Sequence, residues 1–289
     1  MAVELEIKLT LTEVSLAKAA AWLTARPDVE PAGTKQLRNR YYDTARGSLN
    51  ERRIALRLRQ QDGQYLQTLK TKGDFYGGAH RRNEWEWLLP GAELDTSLLA
   101  ETPLAGDEAL EHLQPVFETN FKRQIFMLYR EGTEIEVAVD SGSIVAGDNV
   151  RPLHEVEFEL KSGEAAVLLQ CALELAEEVP VLLNLVSKAE QGYFLAGQYL
   201  PDAPVAGSDG GPVSVTGFLE GLSVAWMRDV AYPISRVNLS TVFDRANVEG
   251  LSDRLEEVLH DFQAGLRIPD VAAKGRLGAL QIRLAIATD

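Results

Sequence analysis

The chain has 289 residues, 45% hydrophobic and 25% charged, which supplies enough apolar material for a buried core and excludes wholesale disorder. A formal net charge of -14 and a sequence pI near 4.8 argue against broad binding to nucleic acid or an anionic membrane, so a polyanionic ligand needs a local, enclosed basic site. Cys171 is the only cysteine, which excludes an intramolecular disulfide and a cysteine-based zinc cluster. No segment reaches the roughly 18–20 apolar residues of a membrane span, and Glu4, Glu6 and Lys8 interrupt any signal-peptide pattern. The expectation is a soluble, cytoplasmic protein with neither a nucleic-acid nor a membrane partner.

Val3 to Thr10 alternates apolar Val3, Leu5, Ile7 and Leu9 with Glu4, Glu6 and Lys8, a period of two that puts all three charges on one face of a strand. Thr12 is an N-cap for a helix to about Ala25, with Leu16, Ala20 and Leu23 on its buried stripe. Strands follow at Gln36–Tyr42, Arg53–Gln60, Gln64–Thr71, Arg81–Leu88, Phe117–Arg130, Glu134–Val145 and Arg151–Lys161, with Gln61-Asp62-Gly63 as a hairpin turn. The stretch Gly91–Leu113 holds short helical pieces, and helices are predicted over Gly163–Val179 and from Lys188 to about Tyr199. Pro201–Pro212, rich in Gly and Pro, is a linker, and the chain beyond it is helical, with Phe218, Leu222 and Ala225, then Leu251, Leu255, Val258, Leu259 and Phe262, at helical spacing. The predicted organisation is a unit over 1–200, a linker over 201–212 and a small all-α unit over 213–289.

The polar faces of the strands carry acids and bases in short blocks. Arg57 pairs with Arg59; Thr68, Lys70 and Lys72 share a face; Arg82 lines up with Glu84 and Glu86, Glu136 with Ala138 and Asp140, and Glu155 with Glu157 and Glu159. A single strand of this kind is ordinarily a solvated face. Repeated over five strands, like charges at spacing two imply neutralising partners: divalent cations for the carboxylates and an anion for the bases. Closing the sheet gathers all of these faces into one lumen and removes the edges. The fold class is therefore α+β, a closed antiparallel barrel of about eight strands whose apolar alternates face outward under the helices at Thr12–Ala25, Gly163–Val179 and Lys188–Tyr199. Such a lumen must be wet and filled by charged ligands, since each uncompensated buried ion costs several kcal/mol. Hard oxygen donors and the absence of a histidine cluster favour Mg²⁺ or Mn²⁺ over zinc.

Glu4-Leu5-Glu6-Ile7-Lys8 resembles the ExExK signature of the CYTH superfamily, the triphosphate tunnel metalloenzymes. Further blocks follow in that family's order: Tyr41-Tyr42-Asp43-Thr44, Leu56-Arg57-Leu58-Arg59, Thr68-Leu69-Lys70, Arg82 with Glu84, Arg123, Glu136 with Asp140-Ser141-Gly142, Glu155 to Leu160, and Ser187-Lys188-Ala189 with Gly192-Tyr193. Together they cover about residues 1–198. The chain is most similar to bacterial inorganic triphosphatases that place a CYTH domain before a helical CHAD domain. The tail resembles a CHAD unit cut short, since a full one is much longer and carries histidines and basic residues on helix faces, whereas this tail has only His260.

The resemblance implies hydrolysis of inorganic triphosphate to pyrophosphate and phosphate, with two Mg²⁺ or Mn²⁺ ions in the site. It implies that Lys8, Arg57, Arg59, Lys70, Arg82, Arg123 and Lys188 hold the triphosphate oxygens. Glu84, Asp140, Glu155, Glu157 and Glu159 supply candidate metal ligands, Glu4 and Glu6 complete the acidic patch, and Glu4, Glu6 and Lys8 form the catalytic set. Which of the last-strand glutamates touches metal stays open, as does the general base. Arg82 is preferred to Arg81 from strand phase, Lys72 is balanced between lumen and solvent, and Glu86 falls outside the ligand set. His80, His112, His154 and His260 are scattered and receive no role; Trp85 and Trp87, on the opposite phase from Glu84 and Glu86, are exterior packing. Thiamine triphosphatase, class IV-type adenylate cyclase and a non-catalytic polyphosphate- or nucleotide-binding module are the competing readings.

Overall fold

The structure is a computed structural model and describes residues 2–203, 205–207 and 210–286. In chain order it contains β1 (Ala2–Thr10), α1 (Glu13–Thr24), β2 (Val29–Asp43), α2 (Ser48–Glu51), β3 (Ala55–Gln61), β4 (Gln64–Lys70), β5 (Asp74–Tyr76) and β6 (Ala79–Leu89). Two 3₁₀ turns, Thr96–Glu101 and Glu108–His112, lead into β7 (Gln114–Arg130), β8 (Thr133–Ala146) and β9 (Asn149–Ser162). Then come α3 (Ala165–Glu178), β10 (Leu182–Leu183) and α4 (Lys188–Leu195). The C-terminal helices are α5 (Val215–Arg228), α6 (Ser240–Val248), α7 (Ser252–Gln263), α8 (Ile268–Ala273) and α9 (Leu277–Ile286). None of the described helices is long and apolar enough to cross a membrane.

The sheet order runs β1-β9-β8-β7-β2-β3-β4-β6, and β6 pairs back onto β1, which closes an antiparallel barrel of eight strands. β5 and β10 add to it beside β6 and β1. The β3–β4 hairpin is tight because Asp62 and Gly63 both take positive φ (51° and 80°), as a two-residue type I′ turn demands. Strand β2 starts at Val29, well before the predicted Gln36, because the chain crosses Pro31 and Gly33 through a bulge rather than a break. Proline is tolerated there because β3 pairs only with Leu37–Tyr42, so at Pro31 one edge of β2 makes no ladder.

Period-two patterning sorts the faces. Ile7, Leu9, Val137, Val139, Val156 and Phe158 point outward and are buried beneath α1 and α3 with Leu16, Leu23, Leu168 and Leu175. Burying each large apolar side chain fully is worth about 1.5–3 kcal/mol. Leu56 and Leu69, flanked by Trp85 and Trp87, are covered instead by Leu49 of α2 and by Leu99 and Leu104 from the 3₁₀ segment. The two tryptophans are exterior packing, as strand phase predicts.

The third expected covering helix takes the other side of the wall. Helix α4 packs against an apolar cluster on the inner face, where Leu37, Tyr41, Phe117, Phe121, Ile144 and Leu153 meet Tyr193. Most inner-face residues here are therefore apolar, with Asn39 and Thr119 set among them, which corrects the expectation that all apolar alternates face outward. Phe117 stacks on Tyr41 with centroids 4.5 Å apart and meets Tyr193 edge-on at 5.0 Å. Close approach of α4 depends on Gly192, where an added Cβ would stand 2.0 Å from the Phe117 ring.

Of the expected linker, residues 204, 208 and 209 lie outside the described set; at its start Arg228 donates to the Pro201 carbonyl and to Asp202. The C-terminal helices bury Phe218, Leu222, Leu255, Leu259 and Leu280 in an apolar core continuous with α3 and β10. Gly192→Ala forces the Tyr41–Phe117–Tyr193 stack apart, and overpacking of this kind costs about 1–3 kcal/mol. Its expected outcome is a lowered thermal midpoint by calorimetry, and an unchanged midpoint would contradict the inward seating of α4.

Candidate active site

Beyond the apolar cluster the inner face is charged and encloses about 660 Å³. Strand register brings the charges together. Glu4 stands opposite Arg82 on β6, Lys8 opposite Glu157 and Glu6 opposite Glu159 on β9, Lys70 opposite Glu84, and Arg123 opposite Asp140. Cross-strand neighbours on one face lie within about 5 Å at Cβ, so each register pair is a contact.

Two ionic knots result. In the first, Lys70 Nζ donates to both Glu4 oxygens at 2.8 and 2.9 Å and lies 3.3 Å from Glu84, while Arg82 donates to Glu4 at 3.0 Å and to Glu6 at 2.6 Å. In the second, Arg123 grips Asp140 through two bonds of 2.7 Å and donates to Glu157 at 2.6 Å. Lys188 Nζ stands 2.6 Å from Glu157, 2.7 Å from Glu155 and 3.0 Å from Asp140. Lys188 is delivered by the first turn of α4, whose Ser187–Glu190 capping box fixes the helix start. Lys8 Nζ donates to the Val186 carbonyl.

Arg57 donates to Thr68 at 3.2 Å, with Glu84 and Glu86 no nearer than 3.9 Å. Arg59 donates to Asn39 Oδ1 at 2.7 Å and makes no ion pair among the described residues. Asn39 is itself oriented by Thr119.

These surroundings displace the protonation equilibria. Burial, reinforced by Glu4 and Glu157, pushes Glu6 up to about 7. Burial also works to raise Glu4, but Lys70 and Arg82 outweigh it and hold the carboxyl well below its ordinary range. Burial would lower Lys188, yet Glu155, Glu157 and Asp140 drive it well above the usual amine value. Burial, with Arg57 and Arg123 close by, pushes the Arg59 guanidinium down. A guanidinium keeps its charge regardless, so the shift marks an unfavourable site for a cation without an anion.

Of the predicted site residues, Glu4, Glu6, Lys8, Arg57, Arg59, Lys70, Arg82, Glu84, Arg123, Glu157, Glu159 and Lys188 line the cavity. Asp140 and Glu155 do not: on the same inner face, they are buried at 0% and 1% exposure beneath Arg123 and Lys188, which they hold. Glu159 sits toward the open end, paired with Lys161 at 2.7 Å. Arg81 points outside to Asp74, as the phase argument for Arg82 requires, and Lys72 and Glu86 reach the cavity rim. His80 also lines the cavity, and its Nε2 is buried without a hydrogen-bond partner. Burial, then Lys8 and Arg82, keep its ring neutral. Sequence reasoning missed it because the predicted strand began at Arg81; extending the same phase by two residues from Arg82 finds it.

Three carboxylates, from Asp140, Glu155 and Glu157, converge on a single cationic point held by the Lys188 ammonium, and Glu4, Glu6 and Glu157 crowd enough to raise Glu6. This all-oxygen donor set has the chemistry that suits a hard divalent cation. Its present spacing is that of ion pairs: among the described residues no three Asp, Glu, His or Cys groups are already arranged as a metal cage.

The CYTH domain model matches residues 2–193. The chain belongs to the CYTH family. An inorganic triphosphatase of Haemophilus influenzae is 38% identical over 172 residues, which cover 57% of this CYTH chain and 48% of that relative. The chain thus spans about half the length of the curated relative it matches. Among solved structures, a Hippeastrum protein described as an adenylyl cyclase with a dominant triphosphatase activity aligns with a TM-score of 0.49 at 20% identity. That alignment covers 70% of this chain and 98% of the other. A mimivirus capping-enzyme triphosphatase aligns with a TM-score of 0.35 at 9% identity, over 60% of this chain and 88% of its own.

A carboxyl raised from 4.5 to about 7 keeps, in the folded chain, a proton that the unfolded chain has released. Ionising Glu6 therefore costs stability as pH rises across that window, and a divalent cation binding there displaces the proton. Mg²⁺ affinity measured by calorimetry should rise from about pH 6 to pH 8, with protons released to the buffer mainly below about pH 7. Affinity independent of pH over this range would count against Glu6 as a ligand of the ion.

Proposed function

We propose that this chain hydrolyses inorganic triphosphate to pyrophosphate and phosphate in the barrel cavity, with two Mg²⁺ or Mn²⁺ ions. The observation that carries the proposal is Arg59, a half-buried cation on the cavity wall with Arg57 and Arg123 as neighbours and no carboxylate among the described residues paired to it. An enclosed positive region of this kind is stabilised by a polyanion, and linear triphosphate presents charged oxygens along its whole length. The description of the Haemophilus influenzae relative supports the same substrate.

In this reading Arg57, Arg59, Lys70, Arg82, Arg123 and Lys188 bind and align the phosphoryl oxygens, and Lys8, tethered to Val186, adds charge from the cavity floor. Positioning and electrostatics supply most of the rate enhancement in phosphoryl transfer. Glu4, Glu6, Glu84, Glu157 and Glu159 line the space where the ions would sit, and Asp140 and Glu155, engaged by Lys188 and Arg123, would be available to them only if those two bases were drawn to substrate. When bound, the ions neutralise triphosphate charge and acidify a coordinated water. The setting in this reading is cytoplasmic, and the net charge of -14 favours a small enclosed substrate over nucleic acid or membrane. In the same reading the chain divides into a tunnel unit (1–200), a linker (201–212) and a helical unit (213–289).

Phosphate release by purified protein, compared across tripolyphosphate, thiamine triphosphate and ATP with Mg²⁺ or Mn²⁺, tests the reading. Tripolyphosphate should be the fastest substrate; cAMP from ATP with inert tripolyphosphate would overturn it. Glu4→Ala and Glu157→Ala should each lower kcat by at least about a hundredfold with circular dichroism unchanged. Turnover at the parental rate in either variant would remove that residue from the site.

A further inference from the structure

Residues 182–188 connect β10 to α4, and both ends of the charged site depend on them. Lys188 springs from one end, and the Val186 carbonyl that holds Lys8 lies two residues earlier. The barrel fixes one side of this strap: Asn184 donates its backbone N–H to the Lys8 carbonyl at 3.0 Å and its side-chain amide to Thr10 at 2.9 Å. The other side is fixed by the C-terminal helices. Gln281 of α9 accepts from Leu183 N–H at 3.0 Å and donates to the Leu183 carbonyl at 3.1 Å, a side chain standing in for a neighbouring strand. Ser223 of α5 accepts from Leu185 N–H at 3.0 Å and donates to Leu219.

Both side chains are fully buried. Buried polar groups cost free energy unless paired, and these two direct bonds to backbone positions of one short segment, where apolar residues would serve equally well for packing. Close contact is built in: an added Cβ at Gly278 of α9 would stand 2.4 Å from Val181. Helix α5 is itself pinned to the barrel, with Arg151 of β9 donating to the Met227 carbonyl at 2.6 Å and lying 4.3 Å over Trp226. The same helix lends Glu220 and Val224 to the cavity lining.

We propose that Ser223 and Gln281 are positioning residues for the triphosphate site, holding the 182–188 strap so that Lys188 and Lys8 meet substrate in register. The proposal rests on the functional reading above and adds that the C-terminal helices are part of the catalytic framework.

Full-length Ser223→Ala and Gln281→Met are compared with Leu255→Ala, a fully buried residue of α7 that supplies no bond to the strap. The control carries the loss of stability without the loss of the clamp. Both clamp variants should lower kcat on tripolyphosphate about tenfold relative to the control, with KM within about threefold, as expected for misplaced charge at the reacting centre. Amide hydrogen exchange over residues 182–190 should accelerate in both variants and stay unchanged in Leu255→Ala. If Gln281→Met fails to fold, Gln281→Glu, which keeps the acceptor for Leu183, joins Ser223→Ala in the test. Kinetics and exchange matching the control overturn the clamp. A parental protein that neither binds nor turns over tripolyphosphate overturns the functional reading instead, and exchange then decides the clamp by itself.

Discussion

Taking an ion out of water costs several kcal/mol, and the bore of this barrel encloses ions of both signs on nearly every strand. The wall survives because strand register sets acids against bases: Glu4 against Arg82, Lys8 against Glu157, Lys70 against Glu84, Arg123 against Asp140. That compensation stops short of completion. Arg59 has an amide oxygen where its neighbours have carboxylates, and Glu6 is crowded by acids until burial keeps its proton into the neutral range. A surplus cation on one part of the wall and a surplus of carboxyl groups on another suit two complementary ligands, an anion and a divalent cation, that together would neutralise the wall.

The second constraint is geometric. A barrel of charged inner faces has no means of its own to fix where its contents stop, and α4 supplies it. The helix places Tyr193 into an aromatic stack with Phe117 and Tyr41 and presents Lys188 one turn earlier to three carboxylates. Packing and electrostatics thus meet on one short helix, and Gly192, at its closest approach, leaves no room for a side chain. The strap that leads into α4 is held from both sides, by Asn184 toward the barrel and by Ser223 and Gln281 toward the C-terminal helices.

The barrel was legible in the sequence because period two is a strong signal when charges occupy one phase. Glu4, Glu6 and Lys8 against Ile7 and Leu9, or Arg57 and Arg59 against Leu56 and Leu58, leave little freedom in which face turns inward. What escaped reading lacks that contrast. The inner apolar cluster uses Leu37, Phe117, Phe121 and Ile144 on the phase that carries Arg123 and Asp140 elsewhere, so no local pattern announces a change of lumen chemistry along one strand. β10 is two residues long and owes its existence to β1 and Gln281. Asp140 and Glu155 share phase with the lumen, yet depth along the bore decides whether a carboxylate meets the cavity or stands behind Lys188, and depth is a tertiary quantity.

The aromatic stack at the α4 end has a further consequence. With Leu37, Phe121, Ile144 and Tyr193 almost wholly removed from solvent, that part of the bore is filled by side chains, and the room left for a ligand is the charged part. A ligand that outgrows the charged stretch finds no further room in that direction.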